Sequence, residues 1–391
     1  MPSDQTSTVR YYDDLACWVV WGEAAREALE DRRLSSETFE VANLTYLPAD
    51  MHDRCAHLIA TLSRWFALLD GERHRTARRA VQPMFSPRRI RELGGVVHTI
   101  VEEALADFGK SATADAVADL ADTISARTVA HVLELPGIEQ RWARALADFL
   151  AASYRREYAV RAQEALHEME EFIDGLPDGD GEGIWARSGD GDGDGDGDRL
   201  ATSSMMLFGG LETTAALITF ALWYMIGHGL QGGVAASRTG EEAAAIVERV
   251  LDLYAPLGHV ARVAAEDTAL GGHRIARGEL VMVSLDGRDL FEPPSASDLS
   301  ASDLSASDLP ASDGPAAHLE GRRADHLAFG HGMHYCSGAS LARLTATTVL
   351  TLFARRYPEA RVREVRWRRN RTYRGFEHLY LTLSGDSGVT S

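Results

Sequence analysis

The chain has 391 residues, of which 45% are hydrophobic, and a formal net charge of −18. That is enough apolar material for a large core, and the acidic balance argues against nucleic acid or an anionic membrane face as partners. Its three cysteines, Cys17, Cys55 and Cys336, are too few and too odd for a secreted disulfide framework, which points to a reducing cytoplasm.

The N-terminus, MPSDQTSTVRYYDD, has no charged start followed by an apolar run, so no signal peptide is expected. No run of eighteen or more apolar residues suggests a bilayer span. Residues 17–21 (CWVVW) predict a short buried strand, and Gly22 to Arg33 a helix. The stretch GERHRTARRAV, from Gly71, reads as helical. A long helical tract is expected from about Arg88 to Leu135. Another runs from Glu139 to Leu176, broken near Ser153 to Tyr158. Residues 188–198 (SGDGDGDGDGD) cannot offset their ordering entropy and read as a solvated loop. Leu200 to His228 is apolar nearly all round, as a buried helix would be. Glu241 to Tyr254 predicts a helix that ends before Pro256. Residues 260–285 alternate around a Gly-Gly turn at 271–272, predicting a small antiparallel sheet. The SASDL repeat at 295–314 has a period of five, which fits neither helix nor strand. His326 to Tyr357 predicts a compact motif followed by a helix, and the tail from Val362 predicts strands. The sum is a mainly helical protein with small sheets.

The densest chemistry is in Phe329 to Arg343, FGHGMHYCSGASLAR. A thiolate that ligates iron needs its charge stabilised, and backbone N–H groups aimed at the sulfur do that. Gly330, Gly332 and Gly338 bracket Cys336 and would allow such an approach. A helix starting at Gly338 or Ala339 would add its N-terminal dipole. A buried, inert cysteine in a glycine turn is the bland alternative, but about ten positions specified together speak against it. The stretch resembles the haem-binding loop of the cytochromes P-450, a haem-thiolate monooxygenase family, and the chain is similar to its soluble bacterial members. The resemblance runs from about Trp18 to Leu383. It implies that fold as one domain over 1–391, with the haem between the long central helix and the cysteine-loop helix. It also implies Cys336 as the metal ligand.

The resemblance extends to other sites. Gly209-Gly210-Leu211-Glu212-Thr213-Thr214 is similar to the family's oxygen-binding motif. Glycines within a helix loosen its hydrogen-bond ladder, and a buried carboxylate beside a hydroxyl can relay protons. Glu212 and Thr213 are therefore the catalytic candidates; a Gly-kinked core helix is the plain alternative. His74 and Arg78, on one helical face, together with Arg262 and His334, are implied as contacts to the haem propionates. Four cations for two carboxylates is coherent chemistry. Phe329, Gly338, Gly209 and Gly210 complete the implied cofactor set. Arg73, Arg75 and Arg79 would offer a basic face to an acidic ferredoxin, or be a solvated helix face. Leu257, His259, Val260, Thr372 and Tyr373 are implied around the substrate.

One position set departs from the family. Where Glu-x-x-Arg should precede Pro256, the chain has Arg249 and Asp252, and the partner arginine before the cysteine is replaced by the SASDL repeat. The two losses read as compensatory, with Arg249 bridging to Asp252 at i,i+3 and to backbone carbonyls of the loop. The implied function is O2-dependent oxidation (hydroxylation, desaturation or cross-linking) of a small organic or peptide substrate in specialised metabolism. Haem b (iron protoporphyrin IX) is the implied cofactor, fed by a ferredoxin/reductase chain using NAD(P)H, in a cytoplasmic monomer. Peroxide use or isomerisation, or a degenerate haem-binding or carrier-docking scaffold without turnover, are the competing readings.

Overall fold

The computed structural model describes residues 8–39, 47–110, 114–151, 155–176, 195–290, 326–368, 370 and 372–383, with side chains described from Arg199 onward in the helix that begins at Gly195. The SASDL repeat lies outside the described residues, as do 188–194 of the Gly-Asp run. The last four residues of that run, 195–198, form the first turn of a helix rather than loop. Extending an existing helix adds one hydrogen bond per residue fixed.

In chain order the elements are β1 (Val9–Tyr12), β2 (Cys17–Val20), α1 (Gly22–Glu30), β3 (Leu34–Ser35), α2 (Ala56–Leu62), α3 (Gly71–Val81) and α4 (Pro87–Phe108). Then come α5 (Asp122–Val132), α6 (Gln140–Ala151), α7 (Arg156–Asp174), α8 (Gly195–Gly227), α9 (Gln231–Ala236) and α10 (Glu241–Leu253). The chain continues through β4 (His259–Ala264), β5 (Thr268–Leu270), β6 (His273–Ile275), β7 (Leu280–Ser284), α11 (Ala339–Arg356), β8 (Arg361–Trp367) and β9 (Phe376–Thr382).

The tract expected as continuous helix from Arg88 to Leu135 is two helices. α4 starts on a Ser86 side-chain cap with Pro87 at its first position and stops at Phe108. At Gly109 a β-carbon would lie 2.5 Å from the Tyr357 hydroxyl, so a larger residue would push that hydroxyl off Leu105 O. Asp115 then caps a π-helical turn, Ala116–Ala121, by accepting from Val117 N.

The main sheet runs β1-β2-β7-β4-β3. β4 and β7 pair antiparallel, as the alternating pattern predicts, but β7 also takes β2 as a parallel neighbour. β5 and β6 form the hairpin across Gly271-Gly272, both at positive φ. β8 and β9 form a second antiparallel ribbon.

α8 organises the core. Its first half (Leu200, Leu207, Leu211) packs with residues of α2, α6 and α7. Its second half (Ile218, Phe220, Trp223) packs with α4, α10 and α11. Each such fully buried side chain contributes about 1.5–3 kcal/mol. By length and composition Arg199–Gly227 could cross a membrane, but 61% of its apolar window is buried inside the protein. The two clusters change over at Gly209 to Thr214, beside the cavity.

Candidate active site

A cavity of about 310 Å³ lies between α8 and the N-terminal end of α11. Cys336 borders it. The residue has accessible surface, yet its sulfur lies deep in the protein, because that surface opens into the cavity. The loop around it is shaped by Gly330 and Gly332, at φ +70° and +64°. Cys336 N donates to Phe329 O at 2.9 Å, closing the turn. Burial pushes the thiol pKa up; the N–H groups of Gly338 and Ala339, aimed at the sulfur, and the charges of Arg78 and Arg343 pull against it. The expected N–H cradle is therefore present, and α11 begins at Ala339 with its positive end toward the sulfur. Gly338 and Phe329 also line the cavity.

Three of the four expected cations, Arg78, Arg262 and His334, line the same cavity. His74 sits just behind, its ring centroid 4.3 Å from that of His334. Both nitrogens of His74 are buried without a hydrogen-bond partner. Burial, with the neighbouring charges of His334 and Arg78, depresses its pKa to about 4. His334 is held by Ser36 Oγ at 3.0 Å and by Asp70 at 3.5 Å. Burial raises the Asp70 pKa, but hydrogen bonds with His334, Ser35 and Ser36 outweigh it and hold it at about 2. Arg78 donates to the carbonyls of Met333 and Tyr335, tying α3 to the cysteine loop. Arg262 is buried, which drags its pKa down to about 10 against the attraction of Asp70. Among the described residues no carboxylate lies within ion-pair distance of it. A buried guanidinium with no paired anion is costly, so these groups fit a bound dianion beside the thiol. That is what a porphyrin with two propionates presents.

Opposite the sulfur, Gly209, Gly210 and Thr213 line the cavity. A β-carbon at 210 would meet Val129 at 2.6 Å, whereas one at 209 would meet nothing within 4 Å. The first glycine therefore keeps the cavity open and the second packs α8 against α5. Thr213 Oγ1 donates to Gly209 O at 2.6 Å, diverting a helical carbonyl toward a side chain. Glu212 is adjacent in sequence but points away from the cavity. It is buried, bonded to Gln140 Nε2 at 3.2 Å and Arg368 Nη1 at 2.5 Å, with Arg144 at 3.4 Å. Arg144 also pairs with Asp122. Arg144 and Arg368, far apart in sequence, converge on this one carboxylate.

On the substrate side, Leu257, Val260 and Tyr373 line the cavity, and Leu257 bridges to Tyr373. His259 and Thr372 do not. His259 is turned toward the Arg374–Asp286 pair; burial and the Arg374 charge depress its pKa to about 4. Thr372 contributes its carbonyl, which accepts from Gly258 N at 2.8 Å. The sequence reading missed the aromatic wall of Trp65, Phe66 and Phe208. Phe208 stands edge-on to Tyr373 at 5.2 Å, and Trp65 lies tilted at 36° against Phe208 at 4.9 Å.

The rearranged pair on α10 is as expected in one respect: Arg249 Nη1 reaches Asp252 Oδ2 at 3.0 Å, in an exposed position. The loop carbonyls expected as its further partners lie outside the described residues. An unforeseen carboxylate binds the cysteine loop instead. Glu248 meets Arg343 at 2.5 Å, after the cysteine, and His326 at 3.3 Å, before it. Burial works against the Glu248 carboxylate, yet the bonds with His326 and Arg343 hold its pKa at about 2. Arg343 lies 4.5 Å over the Phe329 ring. The expected basic face is partly neutralised, since Arg75 and Arg79 pair with Glu72 and Arg73 approaches Glu37.

No family model matches the chain. A vitamin D3 dihydroxylase of Streptomyces griseolus is 30% identical over 96% of this chain and 89% of its own length. The 6-deoxyerythronolide B hydroxylase of Saccharopolyspora erythraea is 27% identical over 94% and 90%. The structure of P450BioI bound to a ligated acyl carrier protein superposes with a TM-score of 0.76 at 22% identity, covering 94% of this chain and 92% of that one. Near-full-length kinship at that identity agrees with a cysteine set in a cradle of N–H groups at the foot of an apolar cavity, and the chain belongs to the cytochrome P450 family.

Proposed function

We propose that this protein is an O2-dependent oxidase of apolar, aromatic-bearing small molecules or peptides in bacterial specialised metabolism. The observation that carries it is the placement of Cys336 and Thr213 in one cavity with the aromatic wall of Trp65, Phe208 and Tyr373. Haem b is the proposed cofactor, with Cys336 as iron ligand and Arg78, Arg262, His74 and His334 around its propionates. When bound, it supplies the redox chemistry of dioxygen.

The chain's own residues supply the rest. The N–H groups of Gly338 and Ala339 stabilise negative charge on the Cys336 sulfur. Thr213 Oγ1, on turning from Gly209 O, can present its proton to dioxygen in the cavity. Glu212, turning from Arg368, can restore that proton from the side where Arg144 is partly exposed. The apolar walls exclude water and orient the substrate. Electrons are proposed to come from a ferredoxin docking at the α3 face, through a reductase using NAD(P)H. Two of the relatives act on polycyclic or macrocyclic molecules by name, a vitamin D3 and a deoxyerythronolide, which supports a bulky apolar substrate. A cytoplasmic location is also proposed, since three cysteines are too few and too odd for a secreted disulfide framework.

The test is the spectrum of dithionite-reduced protein under carbon monoxide. A strongly red-shifted Soret band, absent from Cys336→Ala, is the expected result. An unshifted band in the wild-type protein would refute thiolate ligation and with it this function.

A further inference from the structure

We propose that His57, His167 and Glu170 form a binding site for a divalent transition metal of the zinc class, joining α2 to α7 outside the haem cavity. His57 is the second residue of α2. His167 and Glu170 stand one turn apart on the same face of α7. Their donor atoms all lie within 4.8 Å of one another.

The spacing is the first argument. Zinc with nitrogen and oxygen ligands at about 2.0–2.2 Å in a tetrahedron needs donors about 3.4 Å apart. His57 Nε2 and Glu170 Oε2 are 3.1 Å apart, and His167 Nδ1 and Glu170 Oε2 are 3.5 Å apart. The imidazoles are already stacked, 5.2 Å between centroids and 9° from parallel. The second argument is an unused atom. His57 Nε2 is sealed from solvent and makes no hydrogen bond of acceptable geometry, despite its nearness to Glu170. Buried nitrogens without a partner are rare.

The far nitrogen of His167 has a supporting group as well. Gln163 Nε2 lies 2.9 Å from His167 Nε2. A half-turn of that amide would present its oxygen to Nε2–H and fix Nδ1 as the ligand atom, the usual support for a ligating imidazole. The turn would cost the bond that Gln163 Oε1 now accepts from Leu58 N. Two imidazoles and one carboxylate favour zinc, nickel or copper over magnesium or calcium. The fourth position would hold water, since His167 is 57% exposed.

The site has a consequence for the cavity. α2 leads within a few residues to Trp65, Phe66 and Ala67, which wall it. A metal pinning α2 to α7 would restrain that wall.

The measurement is calorimetric titration of chelator-treated, haem-loaded protein with zinc sulfate, beside His57→Ala and His167→Ala. One saturable site is expected in the wild-type protein, weakened at least tenfold in each variant while the carbon monoxide spectrum stays unchanged. No saturable binding, or binding equal in all three proteins, would overturn the proposal.

Discussion

The cysteine side of the cavity is tied by directional, charged contacts, whereas the substrate side is walled by rings. Arg78 grips two carbonyls of the cysteine loop, and Glu248 reaches both of its shoulders through His326 and Arg343. Trp65, Phe208 and Tyr373 instead meet by ring contacts, and Trp65 Nε1 donates to Ser204 Oγ at 2.9 Å. Directional bonds fix a single atom, the sulfur. Ring contacts tolerate changes of shape, so the same scaffold can accept different substrates by altering that wall.

The largest effect should come from Glu212, which lies behind the wall and is proposed to relay protons into the cavity. Glu212→Gln keeps the shape and one acceptor oxygen for the guanidinium groups but removes the exchangeable carboxyl. Turnover should fall roughly 10²–10³-fold, with the carbon monoxide spectrum unchanged. Turnover within twofold of wild type would remove Glu212 from the proton route.

His259 sharpens the comparison through pH. Its neutral ring is buried, and its folded pKa, about 4, lies below the ordinary 6.5. A depressed folded pKa means that stability is fully present above pH 6.5 and is lost as pH falls from 6.5 toward 4. The expected loss is up to about 3 kcal/mol. His259→Gln should flatten that part of the stability–pH curve, measured by urea unfolding from pH 7 to pH 4. An unchanged slope would mean the loss arises elsewhere.

His259 also shows what a sequence reading can and cannot carry. The family resemblance puts it with Val260 around the substrate, but neighbours on a strand point to opposite faces. In β4, Val260 and Arg262 face the cavity and His259 faces Arg374 and Asp286. Thr372 likewise turns from the cavity and offers its carbonyl to Gly258 N. The cysteine loop was legible because its chemistry lies in fifteen contiguous residues, 329–343, and the α3 cations because they share a helix face. Glu248, Trp65 and Arg368 were missed because their partners lie 95, 139 and 156 residues away. No local period records such pairings.

Removing the carboxylate at Glu248 should loosen the cysteine side specifically. Its side chain and that of Arg343 are each 32% exposed, between the surface and buried cases. Glu248→Ala should therefore cost about 2 kcal/mol, read as a lower Tm and faster haem loss. A comparable loss of haem in Phe208→Ala would erase the distinction between the two sides.

The smallest expected effect tests whether Glu248 has taken over from the rearranged pair. Arg249 and Asp252 are 45% and 41% exposed, and an exposed i,i+3 pair is worth only about 0.3–0.5 kcal/mol. The double variant Arg249→Glu, Asp252→Arg restores the family's order of charges and can still form a pair. It should leave Tm and haem retention nearly unchanged, because the loop is held through Glu248. A marked gain in haem retention would show instead that the exposed pair still limits how the cysteine loop is held. A marked loss would show that Arg249 itself serves the loop, and in either case Glu248 would not be its replacement.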